Sequence, residues 1–146
     1  MQHAVITGAN RGIGLELAAQ LAADGWNVTG VCRSSSPRLD SIAQNVWQGI
    51  DVTQGGLEMA LRKAAGEQPI DLLINCAGIL TRESLEEFHV DDIRKQFEVN
   101  SLGPLRTTHA LLPNLGEGSK VVVISSRMGS IADNTSGARY GYRMSK

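Results

Sequence analysis

A glycine-rich segment near the start of the chain constrains the fold of this sequence more than any other feature. The apolar residues Ala4–Ile6 run directly into the sequence TGANRGIG at positions 7–14, and a stretch with helical periodicity follows. Its glycines are a variant of the G-x-G-x-x-G spacing that joins a strand to a helix in dinucleotide-binding folds. Gly8 permits a tight turn, Gly12 lets a phosphate approach bare backbone, and Gly14 lets the helix pack closely on the strand.

Backbone N–H groups at the start of such a helix can hold a pyrophosphate. The candidate cofactor-binding residues of this loop are Gly8, Asn10, Arg11, Gly12, Ile13 and Gly14. The alternative is a glycine-rich turn that binds nothing. The strand before the loop and the helix after it favour the binding interpretation.

Short apolar runs alternate with helical stretches along the whole chain, which predicts an α/β fold. The runs are nearly continuous, as in strands buried on both faces of a parallel sheet. They are Ala4–Ile6, Val28–Cys32, Val46–Ile50, Leu72–Ile74 and Val121–Ile124. Between them lie three apolar stripes at helical spacing: Ile13, Leu17 and Leu21; Leu57, Ala60, Leu61, Ala64 and Ala65; and Ile93, Phe97, Leu105, Leu111 and Leu112. The alternation indicates βαβ units in a doubly wound, Rossmann-type sheet.

Composition excludes several classes of function. The chain has 14 Lys and Arg residues against 15 Asp and Glu residues, so it carries no general basic field for nucleic acid or an anionic membrane. No apolar run approaches the roughly 20 residues of a membrane helix. A strand is predicted almost at once after Met1, which leaves no room for a signal peptide.

Cysteine and histidine are sparse and scattered. Cys32 and Cys76 lie in separate apolar runs, so we expect no disulfide scaffold and a reducing, cytoplasmic location. His3, His89 and His109 have no partners at metal-ligand spacing, so we expect no metal site.

The residues after the second predicted strand bear on the choice of cofactor. A cofactor with free ribose hydroxyls is usually met there by an acidic residue, but none occurs before Asp40. Arg33 and Ser34, with Arg11 as a further donor, suit a 2′-phosphate instead. We therefore expect NADP(H) to be favoured over NAD(H). The alternative is that Arg33 is a solvated loop charge.

Polar and small residues follow the third and fourth predicted strands. The carboxylate in Asp51-Val52 could accept a hydrogen bond from the amine of adenine, or it could cap a helix in competition with Thr53. In the segment from 75 to 78, Asn75, Ala77 and Gly78 would let a flat ligand lie against the strand end.

A tyrosine and a lysine lie four residues apart near the end of the sequence. In a helix, Tyr142 and Lys146 share one face, and a tyrosine beside an ammonium can exchange a proton at neutral pH. Ser125 and Ser126 end the fifth predicted strand.

Pro104 lacks the N–H that would bond to the Asn100 carbonyl. This predicts a kink in the helix and a carbonyl that is free to hold water.

Together these motifs resemble the short-chain dehydrogenase/reductase family across essentially the whole chain. The matching pieces are TGANRGIG at 7–14, DV at 51–52, NCAG at 75–78, Asn100, ISS at 124–126 and YRMSK at 142–146. The resemblance implies that Tyr142 is a general acid/base, Ser126 binds the substrate oxygen, Lys146 holds the nicotinamide ribose and assists the tyrosine, and Asn100 anchors a water. Ser125 and Ser130 stay open as alternatives for the serine. The stretch from 130 to 137 is similar to that of sniffer-type carbonyl reductases and C-factor-like proteins.

The resemblance implies an NADPH-dependent oxidoreductase that interconverts small-molecule carbonyls and alcohols. Family members usually continue well beyond this length, so we expect residues 1–146 to be a C-terminally incomplete NAD(P)-binding domain. It would have strand order 3-2-1-4-5 and an uncovered fifth strand.

Three hypotheses about the chain follow. It is part of a longer, homo-oligomeric reductase, or it is a short nucleotide-binding or signalling module without catalytic activity, or it is completed by a partner chain. We expect little catalysis from a helix that ends at Lys146, because it would fray.

Overall fold

The computed structural model describes residues 1–146 and contains one five-stranded parallel sheet. The strands are β1 (His3–Thr7), β2 (Asn27–Cys32), β3 (Asn45–Gln48), β4 (Ile70–Asn75) and β5 (Leu115–Val123). Their order is β3-β2-β1-β4-β5, as predicted. Thr7 at the end of β1 is in register with Val31 of β2 and with Asn75 of β4, so the strands end together at one edge of the sheet.

Six helices connect and cover the strands. They are α1 (Gly12–Ala23), α2 (Pro37–Ile42), α3 (Leu57–Ala65), α4 (Val90–Phe97), α5 (Gly103–Leu111) and α6 (Tyr140–Ser145). A π-helical turn, Glu98–Leu102, joins α4 to α5, and short 3₁₀ turns follow at Leu112–Asn114 and Arg127–Gly129. No helix is both long and apolar enough to cross a membrane.

The core consists of one apolar layer on each face of the sheet, because neighbouring strand residues point to opposite faces. Val5 and Leu73 pack with α3 and α5 through Leu61 and Leu111. Ile6 and its neighbours pack on the other face, with α1 and α2. The predicted doubly wound architecture is therefore confirmed.

The third predicted strand is shorter than expected. It ends at Gln48 because Gly49 adopts a φ of +78°, which turns the chain out of the extended conformation. The first helical stripe also departs from the prediction, since Ile13 is 64% exposed.

The prediction for the third helical stripe is wrong about which residues are buried. Phe97, Leu105 and Leu112 are 48%, 66% and 59% exposed, whereas the polar Gln96 and Asn100 are buried. The π-helical turn adds a residue to one turn of the helix and so rotates the residues beyond it relative to those before it. The π-helical turn lies directly before α5 and Pro104, where the sequence predicts a kink.

The fifth strand is an exposed edge of the described sheet. It pairs on one side with β4, and Val121, Val122 and Val123 are all exposed. This agrees with the expectation of an uncovered fifth strand.

Candidate functional site

A cavity of about 720 Å³ lies where the parallel strands end. The glycine-rich loop, the ends of β2 and β4, and helix α6 all contribute to its walls. A second groove of about 1100 Å³ lies beside α3, but most of its lining residues are polar or charged and none of them is a predicted site residue. Open parallel sheets bind ligands at their carboxyl edge, so the first cavity is the candidate site.

The glycine-rich loop has the geometry that its sequence predicts. Gly8 and Gly12 have φ values of +69° and +56°, which side chains disfavour. A Cβ atom on Gly14 would lie 2.4 Å from the Gly8 carbonyl oxygen, so the helix can approach the strand only because this position is bare. No side chain caps the start of α1, so its first N–H groups remain available to an anion.

Besides Lys146, three cationic side chains line the cavity: Arg11, Arg33 and Lys95. The Arg33 guanidinium is 70% exposed and lies 3.9 Å from Asp51, so its charge is available to a ligand. This donor set, together with the bare glycine loop, could hold the phosphates of a dinucleotide.

Asp51 is held in a turn rather than at a helix start. Its Oδ1 accepts hydrogen bonds from the Thr53 N–H at 2.9 Å and from the Thr53 hydroxyl at 2.8 Å. Helix α3 begins only at Leu57, so the helix-capping alternative is wrong. Burial raises the pKa of Asp51, but the bonds from Thr53 and the charges of Arg33 and Lys95 outweigh burial, and the net pKa is lowered. The carboxyl is therefore an ionised acceptor.

The segment after β4 is fixed against the end of β1. The Thr7 hydroxyl accepts hydrogen bonds from the N–H groups of Cys76 and Ala77 at 3.0 and 3.1 Å. A Cβ atom on Gly8 would lie 2.9 Å from the Ala77 Cα, so the glycine loop and this segment are in direct contact. Asn75 is buried beside them, with its Oδ1 unpartnered and its Nδ2 bonded to Thr108.

Asn100 lies in the π-helical turn and connects two parts of the site. Its side chain exchanges two 2.9 Å hydrogen bonds with the backbone of Ile79, and it also donates to the Ser145 hydroxyl at 2.9 Å. Its side-chain amide is therefore fully engaged in holding the segment after β4 against α6.

Tyr142 of α6 and Lys146, the residue that follows this helix, line the same cavity as the glycine loop. The Lys146 ammonium lies 5.7 Å from the centre of the Tyr142 ring. It donates a 2.7 Å hydrogen bond to the Ile124 carbonyl at the end of β5. Burial lowers the pKa of Lys146, and the nearby Cys76 opposes that effect.

The two serines after β5 differ in their surroundings. Ser125 lines the cavity, and its hydroxyl donates to the Lys146 carbonyl at 2.8 Å. Ser126 does not line the cavity; its hydroxyl accepts a 3.1 Å hydrogen bond from the Met128 N–H at the start of a 3₁₀ turn. Ser130 is exposed.

The structure brings most of the predicted residues together in one cavity. Those that line it are Gly8, Asn10, Arg11, Gly12, Ile13, Gly14, Arg33, Asp51, Val52, Ala77, Gly78, Tyr142 and Lys146. Ser34, Asn75, Asn100 and Ser126 lie outside the lining. Sequence reasoning missed Lys95, Ile79, Leu80 and Thr81, which line the cavity from α4 and from the loop before it. Ile79, Leu80 and Thr81 directly follow the predicted 75–78 segment, and that adjacency is the signal that could have found them. No sequence motif marks Lys95, which lies on α4.

Comparison with known proteins identifies one family. A sequence model of the short chain dehydrogenase family matches residues 2–145. The chain is 37% identical over 148 residues to 1-hydroxy-2-glutathionyl-2-methyl-3-butene dehydrogenase of a Rhodococcus species, covering all of this chain and 66% of that relative.

Two further similarities concern the branch of the family and the fold of the chain. C-signal of Myxococcus xanthus is 47% identical over 81 residues, which cover 53% of this chain and 49% of the relative. This agrees with the predicted similarity to C-factor-like proteins. A Burkholderia multivorans short-chain dehydrogenase/reductase with bound NADP superposes with a TM-score of 0.87 at 29% identity, covering 99% of this chain and 67% of that structure. The chain thus spans between half and two thirds of these proteins.

Proposed function

We propose that this chain, which belongs to the short-chain dehydrogenase family, is the nucleotide-binding and catalytic part of an NADP(H)-dependent oxidoreductase that interconverts small-molecule carbonyls and alcohols. One observation carries the proposal: Tyr142 and Lys146 line the same cavity as the glycine-rich loop. The dehydrogenase name of the Rhodococcus relative supports an alcohol or carbonyl substrate.

The residues of the cavity fit a phosphorylated nicotinamide dinucleotide. The glycine loop and the uncapped start of α1 would hold the pyrophosphate. Arg33 and Arg11, with Ser34 beside them, would face a 2′-phosphate, and Asp51 with Val52 would face the adenine. Ala77 and Gly78 form the cavity wall at the end of β4, with Asn75 buried next to them, and Lys146 would hold the nicotinamide ribose. The bound cofactor supplies the hydride.

The chain's own groups supply the proton and orient the oxygen. The Tyr142 hydroxyl gives a proton to the substrate oxygen during reduction and takes it back during oxidation. The Lys146 ammonium beside it resupplies that proton. Ser126 orients the substrate oxygen, after its hydroxyl turns from the Met128 N–H toward the cavity. The Asn100 backbone carbonyl holds the water that continues the relay.

The alternative of a module that binds nucleotide without catalysis is also supported by one observation. The matched region of C-signal covers half of this chain, and its name describes a signal rather than an enzyme. The same cavity would then hold the nucleotide, but Tyr142 would have no chemical task.

Titration and turnover separate the two functions. The protein purified from its natural source, rather than residues 1–146 alone, is titrated with NADPH, following the cofactor's fluorescence, and is then assayed with a panel of aldehydes and ketones. Saturable binding with turnover that is lost in Tyr142→Phe supports the reductase. Saturable binding without turnover supports the binding module, and the absence of saturable binding contradicts both.

A further inference from the structure

The side chain of Glu83 is buried without an ion-pair partner, although it carries a carboxylate. It lies in the loop between β4 and α4 and is 3% exposed. None of the ion pairs in the described chain includes it. A buried carboxylate costs free energy unless hydrogen bonds compensate it, so its bonding partners indicate what it does.

The hydrogen-bond partners of Glu83 lie at the start of α6 and in the loop after β4. One carboxylate oxygen accepts a hydrogen bond from the Gly141 N–H in the first turn of α6. The other accepts from the Thr81 hydroxyl at 3.2 Å. The Glu83 backbone carbonyl also accepts from the Arg139 N–H at 3.0 Å, so Glu83 holds the start of α6 from two atoms.

Gln96 of α4 forms hydrogen bonds with both Glu83 and Thr81. It is fully buried, its Nε2 lies 3.4 Å from both carboxylate oxygens, and its Oε1 accepts from the Thr81 N–H at 3.1 Å. A Cβ atom at Gly141 would lie 2.4 Å from Gln96 Nε2 and 2.9 Å from Glu83 Oε1. Only glycine therefore lets the first turn of α6 reach the carboxylate.

The chain needs such an anchor at this point. Ala138 and Arg139, directly before α6, have φ values of +50° and +52°, which are unfavourable for residues with a side chain. No side chain at the N-cap position satisfies the first N–H groups of α6. These groups need acceptors from outside the helix.

We infer that Glu83 is a positioning residue, which holds α6 through the Gly141 N–H and thereby places Tyr142 and Lys146 in the cavity. Its role is that of a buried acceptor. Glu83→Gln keeps an acceptor oxygen for the Gly141 N–H and is expected to hold α6 in place. Glu83→Ala removes that oxygen. The inference rests on the proposed function, because positioning matters only if Tyr142 and Lys146 act on a ligand.

Amide hydrogen exchange tests the anchoring without using activity. In Glu83→Ala and in Gly141→Ala, exchange across residues 140–145 should be about 10-fold faster, with α1 and α3 unchanged. Glu83→Gln should restore most of the protection. Glu87→Gln, an exposed carboxylate in the same loop, is the control and should have no effect. Unchanged α6 exchange in Glu83→Ala, or equally faster exchange in every helix, would overturn the inference.

Kinetics test the link to the reaction. Glu83→Ala should lower kcat about 10- to 100-fold, as expected for misplaced catalytic groups, and Glu83→Gln should stay within about 3-fold of the unaltered protein. Binding of adenosine 2′,5′-bisphosphate, which needs only the glycine-loop end, should not change. An unaltered kcat, or a parallel loss of this ligand's affinity, would overturn the positioning role. A protein without turnover contradicts the proposed function, and hydrogen exchange then decides the anchoring alone.

Discussion

Asn100 and Ser145, 45 residues apart in the chain, are joined by a 2.9 Å hydrogen bond between the Asn100 amide and the Ser145 hydroxyl. The same amide donates to the carbonyl of Ile79. One buried side chain therefore ties the π-helical turn, the loop after β4 and helix α6 into a single unit around the cavity.

This unit predicts the effect of Asn100→Asp. The substitution keeps the shape but replaces a donor by a second acceptor, which faces the Ile79 carbonyl. An unsatisfied buried group of this kind costs about 1–3 kcal/mol of unfolding free energy. Urea denaturation measures it, with the exposed Asn134→Asp as the control. Equal stability of both variants would show that the Asn100 amide is not an essential donor.

Tyr142→Phe should abolish most turnover while leaving cofactor binding intact. Loss of a general acid/base lowers kcat by about 100-fold or more. The NADPH dissociation constant should stay within about 3-fold, because the aromatic ring remains. Tyr140→Phe is the matched control, since Tyr140 does not line the cavity. A comparable loss of both kcat and NADPH affinity would contradict the acid/base role.

Arg33→Ala should weaken NADPH selectively. A lost charge-assisted contact to the 2′-phosphate costs about 1.5–3 kcal/mol, or roughly 10- to 100-fold in KM for NADPH. The KM for NADH should hardly change, because NADH has no such phosphate. Arg38→Ala, an exposed arginine paired with Glu16, is the control. An equal rise in both KM values, or an initial preference for NADH, would refute the cofactor assignment.

Lys146 should make the free energy of unfolding depend on pH in the alkaline range. Burial lowers the pKa of Lys146 from 10.5, so the unfolded chain binds more protons than the folded chain between the lowered pKa and 10.5. The unfolding free energy should therefore rise with pH in this window. In Lys146→Met, denaturation at a series of pH values should show a smaller rise. Lys63→Met, at an exposed site, should keep the original slope; identical slopes in all three proteins would refute the prediction.

Gly14→Ala should destabilise the fold. The added Cβ meets the Gly8 carbonyl oxygen at 2.4 Å, so the helix or the loop must shift, at about 1–3 kcal/mol. Gly55→Ala is the control, because that position is open and has no positive φ. It should stay within about 0.5 kcal/mol by urea denaturation. A Gly14→Ala protein as stable as the control would mean that close packing there is unnecessary.

Local pattern was enough to predict the sheet and the glycine loop. Continuous apolar runs marked every strand, and the strand order followed from the family resemblance. The third helical stripe could not be read in this way. Its buried positions include Gln96 and Asn100, which are buried because partners from distant segments satisfy them. Periodicity detects hydrophobicity, and it does not detect a polar residue whose hydrogen bonds are supplied by tertiary structure.

The sequence by itself determined the αβ alternation, the phosphate-type loop and the i, i+4 pair Tyr142 and Lys146, since these depend on neighbours along the chain. Tertiary structure alone decided the rest: Lys95 at the cavity, Asp51 in a turn with Thr53, and Glu83 beneath α6. The physical reason is distance. Gly141 and Glu83 are 58 residues apart, and only the packing of α6 against α4 brings the N–H and the carboxylate within hydrogen-bonding reach.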